Sequence, residues 1–249
     1  MSATKPTRVL ANAKDLLDAL AERGALSPAE IAEAIDVPRP TVYRLAAGLE
    51  AVDLVRPSND GRINLSKRWL RLADASRAGM REWRDGRAAL DRIAEDTGQT
   101  AFLSVPRGTH AVCIDWAPGR GLDVLILRPG RTLPLHAGAA GRAFLAFRSD
   151  DEVEHYLTNA PFEALTPTTL TTADELRADV ARTRDTGHST SDEDVTVGIG
   201  AIGVPVRDAE GTTVGCLSVG GLAEDIRSSV DELAGVLRGE AALLPARVD

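Results

Sequence analysis

Side chains able to act as nucleophiles, bases or metal ligands are few in this sequence, and they do not cluster. His110, His136, His155 and His188 lie in four separate stretches, so spacing brings together no nucleophile, base and orienting acid. Cys113 and Cys216 lie far apart in apolar, strand-like runs. That setting suits a small buried hydrophobe better than a reactive thiolate, a disulfide framework or a zinc site. The acidic run Asp192-Glu193-Asp194 has no histidine spacing beside it and reads as solvated loop carboxylates rather than a metal site. His136 reads as a structural hydrogen-bonding group. No catalytic residue, metal or cofactor is expected.

The pattern that does suggest chemistry is one of recognition. Val42, Leu45, Leu49 and Val52 recur at helical spacing as a buried stripe, which leaves Pro40, Tyr43, Arg44 and Ala47 on the opposite side. A face that is polar at its start and small afterwards suits a helix laid in the DNA major groove. Side chains of its first turn reach base edges, and small residues let the backbone approach phosphates. Taken alone, the same pattern also fits the solvated face of an ordinary three-helix domain.

The elements around this helix decide between the two. Ser27 caps a preceding helix, Pro28 suits its first position, Glu30 completes a capping box, and Leu26 with Ile31 forms a hydrophobic staple. Pro38 and Pro40 lack the amide donors a continuing helix needs, so the chain turns and starts again between them. Upstream, Val9, Leu10, Ala13, Leu16, Leu17 and Leu20 make an amphipathic helix that stops at Arg23-Gly24. Downstream, Leu54-Val55-Arg56 and Arg62-Ile63-Asn64-Leu65 read as two short strands around an Asp-Gly turn. Three helices and a basic hairpin in this order define a winged helix-turn-helix over residues 1–66. Its candidate DNA contacts are Ser27, Arg39, Pro40, Thr41, Tyr43 and Arg44 on the helix pair. Arg56 and Arg62 on the wing would clamp phosphates.

Charge is divided along the chain. The 249 residues carry a formal net charge of -8, which argues against bulk attraction to nucleic acid or membrane. Residues 1–74 hold 11 Lys+Arg against 10 Asp+Glu, and the remainder 18 against 27, so the acidity belongs to the C-terminal part. Residues 39–71 hold seven basic side chains against three acidic ones, a local excess on the segment that would face DNA. The start of the chain lacks the apolar core of a signal peptide, and no run approaches ~18 apolar residues. A soluble protein of the reducing cytoplasm is expected, without a membrane partner.

Residues 67–86 are charged and helical and read as a linker, with Trp69 and Trp83 half-buried in their own domains. From Arg87 to Gly98 runs another amphipathic helix. Thr100–Val105, Ala111–Trp116 and Leu122–Leu127 then read as antiparallel strands. Helices follow at Ala139–Phe147, Asp151–Leu157 and Ala173–Thr186. Strands return at Ser189–Ser191, Ala201–Val206 and Thr213–Val219, before a last helix from about Arg227 to Leu243. Residues 87–249 thus make an α+β sandwich with one sheet. Within it, Leu135-His-Ala-Gly-Ala-Ala-Gly-Arg-Ala143 surrounds a helix start with small residues. Amides near Ala139, Ala140 and Gly141 could receive a carboxylate, or the small residues could merely allow tight helix-on-sheet packing.

Four stretches resemble the IclR family of bacterial transcription regulators. They are Val37-Pro-Arg-Pro-Thr-Val-Tyr-Arg-Leu45, Leu133-Pro-Leu-His-Ala-Gly-Ala-Ala-Gly-Arg-Ala-Phe-Leu-Ala146, Leu165-Thr-Pro-Thr-Thr-Leu170, and Gly187 through Gly221 with its Val-Pro-Val-Arg-Asp core. The resemblance implies a winged helix-turn-helix, a linker helix and a GAF-like α/β effector-binding domain. It also implies a homodimer, often a dimer of dimers, that binds near-palindromic operator double-stranded DNA, usually as a repressor.

The resemblance implies a pocket as well, and favours the carboxylate reading of the helix start. Its apolar wall would be Leu122, Leu125 and Leu133, with Ala139 and Ala140 at the helix start. Ser191, Ile199, Ala201, Ser218 and Gly220 would lie opposite. Ser191, Ala201 and Gly220 stand where members that bind very small keto acids place acidic, thiol and hydroxyl side chains. Fewer polar groups and more room suggest a larger, less polar organic acid, for instance an aromatic one. Two alternatives stand beside this reading, a GAF-like thiol redox enzyme and a ligand-independent DNA-binding scaffold.

Overall fold

The computed structural model describes residues 6–80, 83–120 and 127–244. The chain divides into two compact units, residues 1–79 and 80–249. In the first, α1 (Arg8–Arg23) stops where Gly24 takes φ 77°, its N–H donating to the Leu20 carbonyl at 3.0 Å. Helix α2 (Pro28–Ala34) starts at the expected capping box. The Glu30 amide donates to Ser27 Oγ at 3.3 Å, and the Ser27 amide donates to Glu30 Oε2 at 2.7 Å. Helix α3 (Arg39–Ala51) follows with Pro38 as its N-cap. Leu16, Leu20, Ile31, Val42, Leu45 and Leu49 bury one face of each helix in a common core. Each such side chain stabilises the fold by roughly 1.5–3 kcal/mol over leaving it in water.

A hairpin of β1 (Val55–Pro57) and β2 (Ile63–Leu65) closes that core with Val55 and Ile63. Its turn is held by the Ser58 amide on the Arg62 carbonyl at 2.8 Å, with Gly61 at φ 79°. Helix α4 (Arg68–Gly79) is tied back to the hairpin, Trp69 Nε1 donating to the Leu54 carbonyl at 2.7 Å. It is shorter than the linker read from residues 67–86, and Leu70 and Leu72 are exposed. The apolar stripe of α3 ends at Leu49. Val52 lies past the helix end and is 52% exposed, and Val9 and Leu10 of α1 also face water.

The second unit is built on one antiparallel sheet of order β5-β4-β3-β8-β7-β6. The central strands are β3 (Thr100–Arg107), β4 (His110–Ala117), β7 (Ile199–Arg207) and β8 (Thr213–Leu222), and β5 (Thr132–Pro134) and β6 (Ser189–Asp192) are the edges. Side chains alternate between the faces. Leu103, Ile202, Val204, Leu217 and Val219 point to one face and pack with α5 (Gly86–Thr97), α9 (Ala223–Ser228) and α10 (Val230–Leu243). Their strand neighbours meet α6 (Ala139–Ala146), which packs with α7 (Asp150–Asn159) and α8 (Ala173–Thr186).

Two expectations shift here, and a third goes untested. The strand read at Leu122–Leu127 falls almost wholly outside the described residues. Strand β5 was not foreseen, since it is three residues long and ends in Pro134, which only an edge tolerates. The single last helix breaks at Ser229 into α9 and α10. Trp83 packs within its own unit, its indole lying over Gly215, where any Cβ would fall 2.3 Å from the ring.

Candidate DNA interface and ligand cavity

The Pro38 turn sets the first turn of α3 at the surface of the first unit. Arg39, Pro40, Tyr43 and Arg44 are exposed, and Thr41 is half-buried. A tyrosine ring that remains 60% exposed on an otherwise well-packed helix has an open aromatic face. Neither Arg39 nor Arg44 has a carboxylate within ion-pair distance among the described residues. Arg8 and Asn12 of α1 line a cleft beside Thr41 and Arg44. Sequence reading missed these two because helical periodicity in α1 marks only its buried side.

The remaining candidates differ in how free they are. Ser27 Oγ is held by the Glu30 amide as a cap. Arg56 is 72% exposed and only loosely near Asp53 at 3.8 Å. Arg62 is committed within the domain. Its Nη1 donates to the Ala25 carbonyl at 2.8 Å and its Nη2 approaches Glu30 at 3.4 Å, bracing the wing against the start of α2.

In the second unit, Leu133, Ala139, Ala140, Ser191, Ile199, Ala201, Ser218 and Gly220 line one cavity. Strands β5, β6, β7 and β8 and the start of α6 bring these eight together. Leu122 and Leu125 lie outside the described residues. Phe102, Leu127, Val195 and Thr196 also line the cavity and were not foreseen. Phe102 was legible only as one more apolar strand residue.

The cavity measures about 70 Å³, against the ~300–1,000 Å³ of a drug-sized pocket, so the extra room expected from small side chains is not present. The Phe102 ring takes it up: a Cβ on Gly220 would already sit 3.4 Å from Phe102 Cε2. The small residues of α6 do allow tight packing. Gly138 turns the chain at φ 74°, and a Cβ on Gly141 would lie 2.5 Å from the Pro134 carbonyl oxygen. The first amides of α6 nevertheless lack intrahelical acceptors, as at any helix start.

One wall of the cavity rests on a buried ionic network. Arg142 of α6, 5% exposed, donates through Nε to Asp179 Oδ2 at 2.7 Å and through Nη1 to Asp194 Oδ2 at 3.2 Å. Asp194 also accepts from the Gly138 amide at 3.2 Å and from the Ser191 hydroxyl. Burial pulls the Arg142 pKa down, but the hydrogen bond and charge of Asp179, with those of Asp194, more than reverse it, and the net direction is up. The acidic run is therefore not a set of solvated carboxylates. Asp194 is buried, and Asp192 and Glu193 pair with Arg227 at 2.9 and 2.5 Å.

His136 and the two cysteines are buried within the unit. His136 Nε2 lies 3.0 Å from the Glu163 carbonyl, and its Nδ1 lies 3.3 Å from Tyr156 Oη. Cys113 and Cys216 are buried, and desolvation pushes both thiols up to about 12. A thiol so disposed carries almost no thiolate near neutral pH.

Fold and site together define a two-unit protein, with a helix-turn-helix carrying free cations and an α+β unit enclosing a small cavity. Sequence comparison matches residues 9–58 to the IclR helix-turn-helix domain and residues 83–244 to the bacterial transcriptional regulator IclR C-terminal domain. The chain belongs to the IclR family and is a transcription regulator with a DNA-binding head and a C-terminal ligand-binding domain. It is 27% identical to the HTH-type transcriptional repressor AllR of Salmonella typhi, over 84% of this chain and 79% of that one.

Among solved structures, an IclR-type regulator from Alicyclobacillus acidocaldarius superposes with TM-score 0.83 at 25% identity, covering 97% and 99% of the two chains. An IclR homologue from Microbacterium hydrocarbonoxydans complexed with 4-hydroxybenzoate gives TM-score 0.79 at 21% identity, covering 95% and 97%; at that identity the likeness is one of fold.

Proposed function

We propose that this regulator is a cytoplasmic repressor, that it binds near-palindromic operator DNA as a homodimer or a dimer of dimers, and that a small organic acid modulates it. The observation that carries the DNA reading is the open face of α3, where Arg39, Tyr43 and Arg44 stand exposed and, among the described residues, Arg39 and Arg44 are without ion-pair partners. Arg44, Tyr43, Thr41 and Arg39 read or brace base edges from the major groove, and Arg56 supplies a phosphate contact from the wing. Two-fold symmetry of the protein demands two half-sites related by a dyad. Repression is the sign of regulation carried by AllR.

The effector's carboxylate rests on the first amides of α6, at Ala139 and Ala140, with the Ser218 hydroxyl beside it, the Ser191 hydroxyl being already donated to Asp194. The rest of the lining is apolar, and it is this polarity rather than the size of the cavity that favours a hydrocarbon or aromatic body over a very small keto acid. The 4-hydroxybenzoate bound by the Microbacterium homologue is of that chemistry. For a ring to enter, Phe102 or Leu127 has to yield. Calorimetric titration with 4-hydroxybenzoate, pyruvate and glyoxylate tests the choice. The benzoate is expected to bind at least tenfold tighter, and preferential binding of either keto acid would overturn it.

A further inference from the structure

A second cavity in the same unit, about 560 Å³, lies on the other side of the Leu133–Ala140 segment, between α7 and the start of β4. It falls in the size range of small-molecule sites, and no described residue of the DNA or effector reading lines it. Its floor is apolar, made by Pro134, Tyr156, Ala160 and Pro161. The Tyr156 hydroxyl already accepts the His136 amide at 3.2 Å, so the ring rather than the hydroxyl is what Tyr156 offers to an occupant.

The charged groups at the mouth are of both signs. Arg148 is half-buried and held in place by its own hydrogen bond, Nη2 donating to the Gly108 carbonyl at 2.5 Å. It enters no ion pair among the described residues. Asp151, three residues on at the start of α7, likewise has no partner among the described residues. Glu152 is occupied as the capping-box acid of α7 with Ser149. A purely anionic ligand would be attracted by Arg148 and opposed by two carboxylates. A purely cationic one would meet the reverse, and only a molecule carrying both charges gains from each side.

We infer that this cavity is a second small-molecule site, for a zwitterionic amino acid with an apolar side chain. Its carboxylate pairs with Arg148, its ammonium with Asp151, and its side chain lies on Pro134, Tyr156 and Pro161. Tyr156 connects the site to the effector cavity, because its hydroxyl holds His136, two residues before the Gly138 turn that opens α6.

The test uses the full chain and three probes that share one apolar body: L-phenylalanine, 3-phenylpropanoate and phenethylamine. L-phenylalanine is expected to bind saturably, one per chain, at least tenfold tighter than either singly charged analogue. Arg148→Gln and Asp151→Asn are each expected to weaken it about tenfold with unchanged melting temperature, and 4-hydroxybenzoate should not displace it. No saturable binding of L-phenylalanine at millimolar concentration would overturn the inference. So would equal affinity for the three probes, affinity untouched by both variants, or displacement by 4-hydroxybenzoate. Apart from displacement by 4-hydroxybenzoate, none of these outcomes depends on the DNA or effector reading.

Discussion

Arg142 concentrates the energetics of the second unit in one side chain. It joins α6, α8 and the loop after β6, and it is what keeps two buried carboxylates satisfied. Removing one partner of a buried ionic network leaves the other charges uncompensated, which costs about 3–5 kcal/mol, far more than the net value of the intact pair. Arg182 on the same helix as Asp179 offsets part of that loss for Asp179, whereas Asp194 keeps only its neutral donors. Arg142→Met is therefore expected to destabilise the second unit by about 3 kcal/mol. Urea denaturation followed by circular dichroism measures it, and a loss below about 1 kcal/mol would mean the carboxylates find other partners. None of this was legible in the sequence. Asp194 looked like one of three loop acids because Arg142 is 52 residues away along the chain, and only the folded strand order brings them together.

At the scale of elements, the helix-turn-helix was readable because its signals are local. Ser27 and Glu30 are three residues apart, Pro38 and Pro40 stop and restart the helix, and Asp60-Gly61 turns the wing, so each boundary is set by neighbours in sequence. Most elements of the second unit were equally readable from alternation and glycine stops. The edge strand β5 and the break at Ser229 were not, since a three-residue strand exists only through its pairing with β4.

The wing shows the same limit in a residue that sequence alone gave to phosphate. Arg62 holds Ala25 and Glu30, whereas Arg56 projects into water. Arg56→Ala is expected to weaken specific and random duplexes alike and to reduce the slope of log affinity against log salt by about 0.9, one phosphate contact. Arg62→Ala is expected to lower the melting temperature of the first unit and to change the salt slope by less than Arg56→Ala does. Binding titrations over a salt series, with melts of both variants, separate the two roles; the reverse order of salt slopes would return Arg62 to the phosphates.

For the whole molecule, the charge division seen in the sequence acquires a meaning. The unit that carries α3 and the wing is near neutral with a local basic excess, and the acidic remainder belongs chiefly to the unit that encloses the cavities. Affinity for DNA then cannot come from bulk charge and has to come from a small set of contacts, with Arg44 proposed as the leading reader of base edges. A good bidentate base contact is worth about 1–3 kcal/mol of discrimination, which sets the size of the effect to look for. The most direct measurement is selection of bound duplexes from a random pool by the full chain, followed by affinities of the selected and scrambled duplexes for the unaltered protein and for Arg44→Ala. The account predicts a selected site with two dyad-related half-sites, preferred at least ~10³-fold over scrambled DNA. It also predicts a preference cut about tenfold or more by Arg44→Ala, with scrambled-duplex affinity falling much less. Failure to enrich any sequence, or equal loss on both duplexes in the variant, would contradict it.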